Sequence, residues 1–332
     1  MTKLFVHIGT HRTATTSIQS YLYDNREALI EKGFLYPFEM RRHAIWFRKI
    51  ADGRSSAAAF AERILSDLER LPSSVHSAIV SDEDISFYPD LTILADLKKD
   101  FELHFVLYMR RQDLWLESWY LQNIKWQFDQ RYRGLPFDGF YNRRAEFHWM
   151  HYDRVVAQLE TMVPRENIHL TVFERDQMPG GPVPTFARVV SLGDTERFAE
   201  AEHKNSSMSP LMTEFLRHLP LHQASAAFRG FIEQACARVD AADPGRRGSA
   251  LYIDHAERAR YLAEFAEGNA KLAKDYFGRD QLFLEALPSA NAPLAFFDLP
   301  KDSGELLEKF VGPVFAEMIA ARTKNEAAGK AV

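Results

Sequence analysis

A short, largely apolar run, Leu4-Phe5-Val6-His7-Ile8, passes directly into Gly9-Thr10-His11-Arg12-Thr13-Ala14 and then into a helical pattern from Thr15, with Ile18 and Leu22 on one face. This unit constrains the fold more than any other stretch of the chain. A run without polar alternation reads as a strand buried on both faces, which is the property of parallel sheets. The same arrangement recurs. Strands are expected at 34–36, 77–81, 103–108 and 168–173, with helices at 57–71, 91–101, from 112 onward and at 144–162. Strands alternating with helices imply a three-layer α/β/α fold around a mostly parallel central sheet. After about residue 185 the pattern is nearly all helical, at 185–191, 210–219, 224–239 and 254–277. The expected organisation is one domain over 1–287, with a core sheet over about 1–195 and a helical extension over about 196–287. A helical tail at 288–332, frayed from 325, completes it. The turn-rich stretches at 241–245 and 288–291 do not read as domain linkers.

Composition excludes several classes. The net charge of −5 argues against a dedicated nucleic-acid binder, which is usually strongly basic. The pairs Arg41-Arg42, Arg110-Arg111, Arg143-Arg144 and Arg246-Arg247 are each able to attract an anion on that acidic background. The single cysteine, Cys236, rules out an intramolecular disulfide and reads as a buried small apolar residue. The first apolar run is too short for a signal peptide, and no run reaches the length of a membrane span. A cytoplasmic protein without an integral membrane segment is the expectation.

The turn after the first strand aims backbone N–H groups and a helix N-terminus at one point, which is an anion site by geometry. Thr13, Thr15, Thr16 and Ser17 add hydroxyl donors, and Arg12 adds a fixed charge. The Gly-x4-Gly-Lys-[Ser/Thr] nucleotide loop fits at Gly9, but Ala14 stands for the second glycine and Thr15 for the lysine. A nucleotide kinase of that type needs the lysine on its β/γ-phosphates. The dinucleotide pattern Gly-x-Gly-x-x-Gly fails at His11 and Ala14. A second anion site is expected where strand 103–108 ends at Arg110, ahead of a helix carrying Ser118. Ligands of open α/β sheets sit at such carboxyl strand ends.

The stretch HIGTHRTATTSIQ resembles the 5′-phosphosulfate loop of sulfotransferases, a Lys-[Thr/Ser]-Gly-Thr-Thr pattern following a strand. Arg12 replaces the loop lysine and Ala14 the glycine. LYMRRQDLWLESWYLQNIK, ERDQMPGGPVPTF, KNSSMSP and RARYLAEFAEGNAKLAKDYFGRDQLF resemble bacterial members of that family, so the likeness covers about residues 3–283. It implies the P-loop-type sulfotransferase fold and the donor 3′-phosphoadenosine 5′-phosphosulfate (PAPS), which leaves as the 3′,5′-bisphosphate PAP. It assigns the 5′-phosphosulfate to Gly9, Thr10, Arg12, Thr13, Ala14, Thr15, Thr16 and Ser17, and the 3′-phosphate to Arg110 and Ser118. Lys204 and Asn205 are candidates to close over the cofactor. The implied acceptor is a hydroxyl of a small molecule, glycan or glycolipid, as in carbohydrate sulfation.

No metal-ligand spacing is present, so a metal-independent reaction is expected. Arg12 suits leaving-group stabilisation better than proton donation, because a guanidinium does not readily lose its proton. A hydroxyl acceptor calls for a general base. His43 follows the second strand, where several sulfotransferases place their base. Glu83 follows the third strand, and the two rank equal, with His11 third. His7 and His104 read as core histidines. The alternatives are a P-loop nucleotide kinase and a non-catalytic nucleotide-binding protein of the same fold. Oligomeric state is not readable from the chain.

Overall fold

The computed structural model describes residues 1–127, 129–193, 198, 208–243, 245 and 248–327. The chain forms two compact units. The first comprises Met1–Gln112, Phe147–Lys204 and Leu262–Ala286, and the second Asp113–Glu146, Asn205–Tyr261 and Leu287–Val332. This division is not the linear one expected, because the chain passes between the units five times.

The first unit holds five strands: β1 (Lys3–His7), β2 (Phe34–Leu35), β3 (Ser77–Ser81), β4 (Glu102–Met109) and β5 (Ile168–Val172). All are parallel, in the order β2-β3-β1-β4-β5. The winding direction reverses at β1, whose two neighbours are β3 and β4, so the carboxyl end of β1 is the switch point of the sheet. In register, His7 pairs with Ser81 and with Val106, which puts the loops after β1, β3 and β4 on one edge.

One face of the sheet packs Phe5, Ile79, Val106 and Tyr108 against α1 (Thr15–Asp24), α2 (Arg26–Glu31) and α8 (Pro182–Val189), through Ile18, Leu22, Leu29 and Phe186. Strand alternation turns Leu4, Val6, Ala78, Val80 and Phe105 the other way, and all are fully buried. That side is covered by α4 (Ala57–Leu68), a 3-10 helix (Thr92–Lys99), α7 (Tyr152–Glu160) and α12 (Ala266–Phe277). The unit is thus a three-layer α/β/α fold, as expected. His7 is fully buried on β1, with Nδ1 2.8 Å from Ser81 Oγ.

The helices depart from expectation in three places. The stretch at 15–33 breaks at Asn25, whose side-chain amide donates to the Tyr21 carbonyl at 2.8 Å and so ends α1. The stretch at 91–101 is the 3-10 helix, and the stretch at 144–162 is two single 3-10 turns before α7.

The second unit is helical, built from nearly all of α5 (Gln112–Trp126) with α6 (Phe137–Tyr141), α9 (Pro210–Arg217), α10 (Ala226–Ala242), α11 (His255–Ala263), α13 (Ser303–Leu306) and α14 (Gly312–Ala327). Its core contains an ion cluster. Fully buried Arg258 reaches Asp113 at 2.5 Å and Glu117 at 2.6 Å, and Glu117 also accepts the Tyr252 and Ile253 N–H groups. Cys236 is buried and its thiol is pushed up to about 12, first by burial, as suits an apolar core residue. Among the described residues, no helix is long and apolar enough to cross a membrane.

Candidate functional site

Gly9 follows β1 by two residues, and the geometry there requires glycine. Its φ is +88°, and a Cβ at this position would lie 2.9 Å from Glu83 Cβ. The loop therefore lies directly on Glu83, the second residue after β3. Gly9→Ala is expected to cost about 2 kcal/mol of stability through backbone strain and overlap. Urea denaturation measures this, and an unchanged midpoint would refute the close approach.

Beyond Gly9 the loop is pinned to β4. Thr10 donates to the Tyr108 carbonyl through both its N–H (3.1 Å) and its hydroxyl (3.2 Å). Thr13 Oγ1 closes the turn on the Thr10 carbonyl at 2.6 Å. Arg12 (φ 65°) and Ala14 (φ 61°) are left-handed, and Ala14 is the N-cap of α1. Serines cap α4, α9 and α10 through their hydroxyls, but Ala14 supplies no side-chain cap, and the first turn of α1 has no acidic residue. Its amides and dipole are positioned for an external anion. Thr10, Thr13 and Thr15 are buried, Ser17 is half-buried and Thr16 is exposed.

Arg110 arrives from the end of β4. Its Nη1 donates to the Arg12 carbonyl at 3.0 Å, and its guanidinium lies 5.8 Å from the Phe173 ring centroid. Buried Tyr152 fixes its backbone, accepting from Arg110 N–H (3.1 Å) and donating to Arg110 C=O (2.7 Å). Burial, and then the Arg110 charge, lower Arg12 to about 10, so its guanidinium remains cationic at neutral pH. Two neighbouring like charges above a helix N-terminus form a site that a multiply charged anion stabilises.

The other expected arginines have different roles. Arg111 is buried and donates to the Glu285 carbonyl at 2.7 Å. Arg42 faces carboxylates: its Nε donates to Asp82 at 2.7 Å, while Nη1 lies 3.5 Å from Glu83 and Nη2 2.5 Å from Asp84. Arg143 pairs with Glu146 at 2.7 Å. Ser118 is buried on α5 in the second unit, so the two residues expected on the 3′-phosphate fall in different units. Lys204, Asn205, Arg246 and Arg247 lie outside the described residues.

Of the three candidate bases, two have prior commitments. His43 is fully buried. Its Nδ1 accepts the Ser81 N–H at 2.9 Å, so the proton sits on Nε2, which donates to the Pro37 carbonyl at 3.0 Å. Burial lowers it to about 4. With both ring nitrogens held by backbone, His43 acts as a bracket between β3 and the loop after β2, which corrects the expectation of a base there. His11 Nε2 bonds Asp84 at 2.9 Å, and its ring stacks on Phe87 at 4.3 Å, which ties the loop after β1 to the segment after β3. Burial raises Asp84, but the His11 hydrogen bond and the Arg42 charge outweigh it and hold the carboxyl at about 2. Glu83 remains, buried against Gly9, with Oε2 accepting from Gln19 Nε2 at 2.5 Å. Gln19 also reaches Ser81 Oγ at 3.3 Å. Sequence reasoning overlooked Gln19, Asp82, Asp84 and Tyr152, and it read Arg42 as half of an anion-attracting pair, where the structure sets it against carboxylates. The run Asp82-Glu83-Asp84 at a strand end was the one local signal.

No known family's sequence profile matches the chain. The chain is similar to a protein of Archaeoglobus fulgidus described as uncharacterized, 26% identical over 183 residues, which takes in 54% of this chain and 47% of that protein. The chain thus spans about half the length of the relative it matches. The chemistry has to be read from the site.

Proposed function

We propose that the protein is a sulfotransferase that takes PAPS as donor and passes its sulfuryl group to a hydroxyl of a small molecule, glycan or glycolipid. The observation that carries this reading is the pairing of Arg12 with Arg110 over the uncapped start of α1, at the switch point of a parallel sheet. The loop carries no lysine where a nucleotide kinase has one, and its cation sits three residues earlier.

In the reaction, the acceptor oxygen attacks sulfur in line as the bond from sulfur to the 5′-phosphate oxygen breaks. The electron pair of that bond leaves with PAP, and the hydroxyl proton goes to the Glu83 carboxylate. Arg12, Arg110 and the α1 amides stabilise the charge that grows on the leaving phosphate. Arg12 stays protonated and acts as a clamp, so the proton transfer falls to Glu83.

Thermal denaturation tests the reading. PAP at about 100 times its Kd is expected to raise the midpoint by about 5 °C, and ATP with Mg²⁺ by less. A larger shift with ATP and Mg²⁺ would favour a kinase. PAP binding without transfer of ³⁵S from labelled donor to any of a broad acceptor panel would favour a non-catalytic nucleotide-binding protein.

A further inference from the structure

We infer that Arg42 is a positioning residue of this site, one whose guanidinium clasps three successive carboxylates so that Glu83 is held oriented against the phosphate loop. The inference rests on the sulfotransferase reading and assigns a role that the resemblance does not supply.

The geometry begins with the backbone. Arg42 lies in the loop between β2 and α3 (Ala44–Ala51), and both of its neighbours are anchored. Tyr36 donates its hydroxyl to the Arg41 carbonyl at 2.6 Å. His43 exchanges hydrogen bonds with Ser81 through its backbone N–H (3.0 Å) and its ring Nδ1 (2.9 Å). The bracket formed by His43 therefore fixes the point from which the Arg42 side chain departs. From there each nitrogen of the guanidinium faces a different acid: Nε Asp82, Nη1 Glu83 and Nη2 Asp84. A lysine ammonium is a point charge and cannot serve three diverging acceptors in one plane.

A purely structural ion pair needs one carboxylate. Three acids meet at this guanidinium, with Arg48 3.9 Å from Asp84 as a second cation beside them. Burial raises Asp82 to about 7, against the opposing pull of Arg42. Its Oδ2 is buried without a hydrogen-bond partner. A costly arrangement at a strand end beside an anion loop is the pattern of a functional site. Two bridges link it to that loop: Asp84 to His11, and Glu83 to Gln19 of α1.

The charged and polar groups that bear on Glu83 set the sign of the test. Arg42 stands 3.5 Å from it, and Arg48 of α3 lies 3.9 Å from Asp84. Asp82 and Asp84 flank it in the chain. Tyr36 is held neutral by burial and then by Glu83, and Gln19 and His11 bond the carboxylates of this segment. Removing the Arg42 charge takes the facing cation from three adjacent carboxyl groups, so the acidic limb of the pH profile moves upward.

The experiment compares wild type, Arg42→Gln, Arg42→Lys and Glu83→Gln. It measures PAP affinity by calorimetry and the rate of ³⁵S transfer from labelled PAPS into a cell extract across pH. Arg42→Gln is expected to keep PAP affinity within about twofold and to lose about 100-fold in transfer rate at pH 7. Its acidic limb should rise by about one pH unit, and added guanidinium should restore part of the rate. Glu83→Gln sets the floor. If Arg42→Gln does not fold, Arg42→Lys carries the same comparison, with a smaller rise of the limb and a lower rate. Unchanged transfer and an unchanged limb would overturn the inference, as would a fall in PAP affinity that matches the fall in rate. Wild type failing to bind PAP would instead overturn the sulfotransferase reading itself.

Discussion

Arg110→Ala is expected to weaken PAP binding by about 100-fold, equivalent to about 3 kcal/mol, the upper range for a hydrogen bond to a charged partner. Arg12→Ala is expected to lose a similar amount. The double variant should lose less than the sum, because each guanidinium is held beside a like charge whose removal relieves the survivor. Calorimetric titration of PAP into the four proteins gives this cycle directly. The fold should survive both changes. The Arg110 backbone is held by Tyr152, and the Arg12 contact from Arg110 is to a main-chain oxygen that alanine retains. Affinity should also fall as salt rises, and more gently in the variants, since fewer charges meet the ligand. An Arg110→Ala protein that binds PAP as wild type does would sink the anion site, and the donor assignment with it.

The parts of this site that sequence reveals are those adjacent to a strand end. Buried parallel strands announce themselves as continuous apolar runs, and β3 occupies the expected 77–81 residue for residue. Gly9, Arg12, Glu83 and Arg110 each follow such a run by a few residues, so their position on the carboxyl edge was readable. The partners that give them meaning were not. Arg42 meets Asp82 across 40 residues, Gln19 meets Glu83 across 64, and Tyr152 meets Arg110 across 42. Nothing in the local pattern of any of them differs from ordinary surface or core. His43 illustrates the converse. Its place after a short strand suggested a base, but its function is decided by whether Ser81 N–H or solvent reaches Nδ1, a tertiary matter.

Helix types were missed for a similar reason. Buried Leu91, Leu94 and Leu97 recur every three residues, which an α-helix would also accept as a face. The period of three is the repeat of the 3-10 form that the chain adopts there. The division into units was hidden because the boundary falls at the start of α5, after Gln112, where periodicity continues without a break. The same helix thus carries Gln112 in one unit and the buried acids Asp113 and Glu117 in the other.

Mild acid is expected to destabilise the protein, and the sign follows from three buried groups on or beside β3. Burial lowers His7 from 6.5 to about 3 and His43 from 6.5 to about 4. Below pH 6.5 the unfolded chain protonates both, while the folded protein protonates neither until pH 4. Stability contributed by their neutral forms is complete above 6.5 and is lost as pH falls toward 4. Asp82 works in the opposite direction. Its folded value is raised from 3.8 to about 7, so between those limits the folded state holds a proton that the unfolded state lacks. Among these three groups the balance near pH 5 is one extra proton on the unfolded chain, a slope of about 1.4 kcal/mol per pH unit, which Glu117 and Glu233, both raised first by burial, reduce. His104, His151 and His169 are also lowered, first by burial, and add to that slope. Asp84, held at about 2, acts only below the window, where its loss begins near 3.8. Urea midpoints from pH 7 to 4.5 should therefore fall steadily for wild type. His7→Gln removes one of the two histidine contributions and should flatten the slope by about 1.4 kcal/mol per pH unit. Asp82→Asn removes the opposing group and should steepen it by the same amount, whatever it does to stability at neutral pH. Equal slopes in all three proteins would mean that His7 and Asp82 titrate as they do in water, and that the polar groups at the end of β3 are solvated rather than buried beneath the loop after β1.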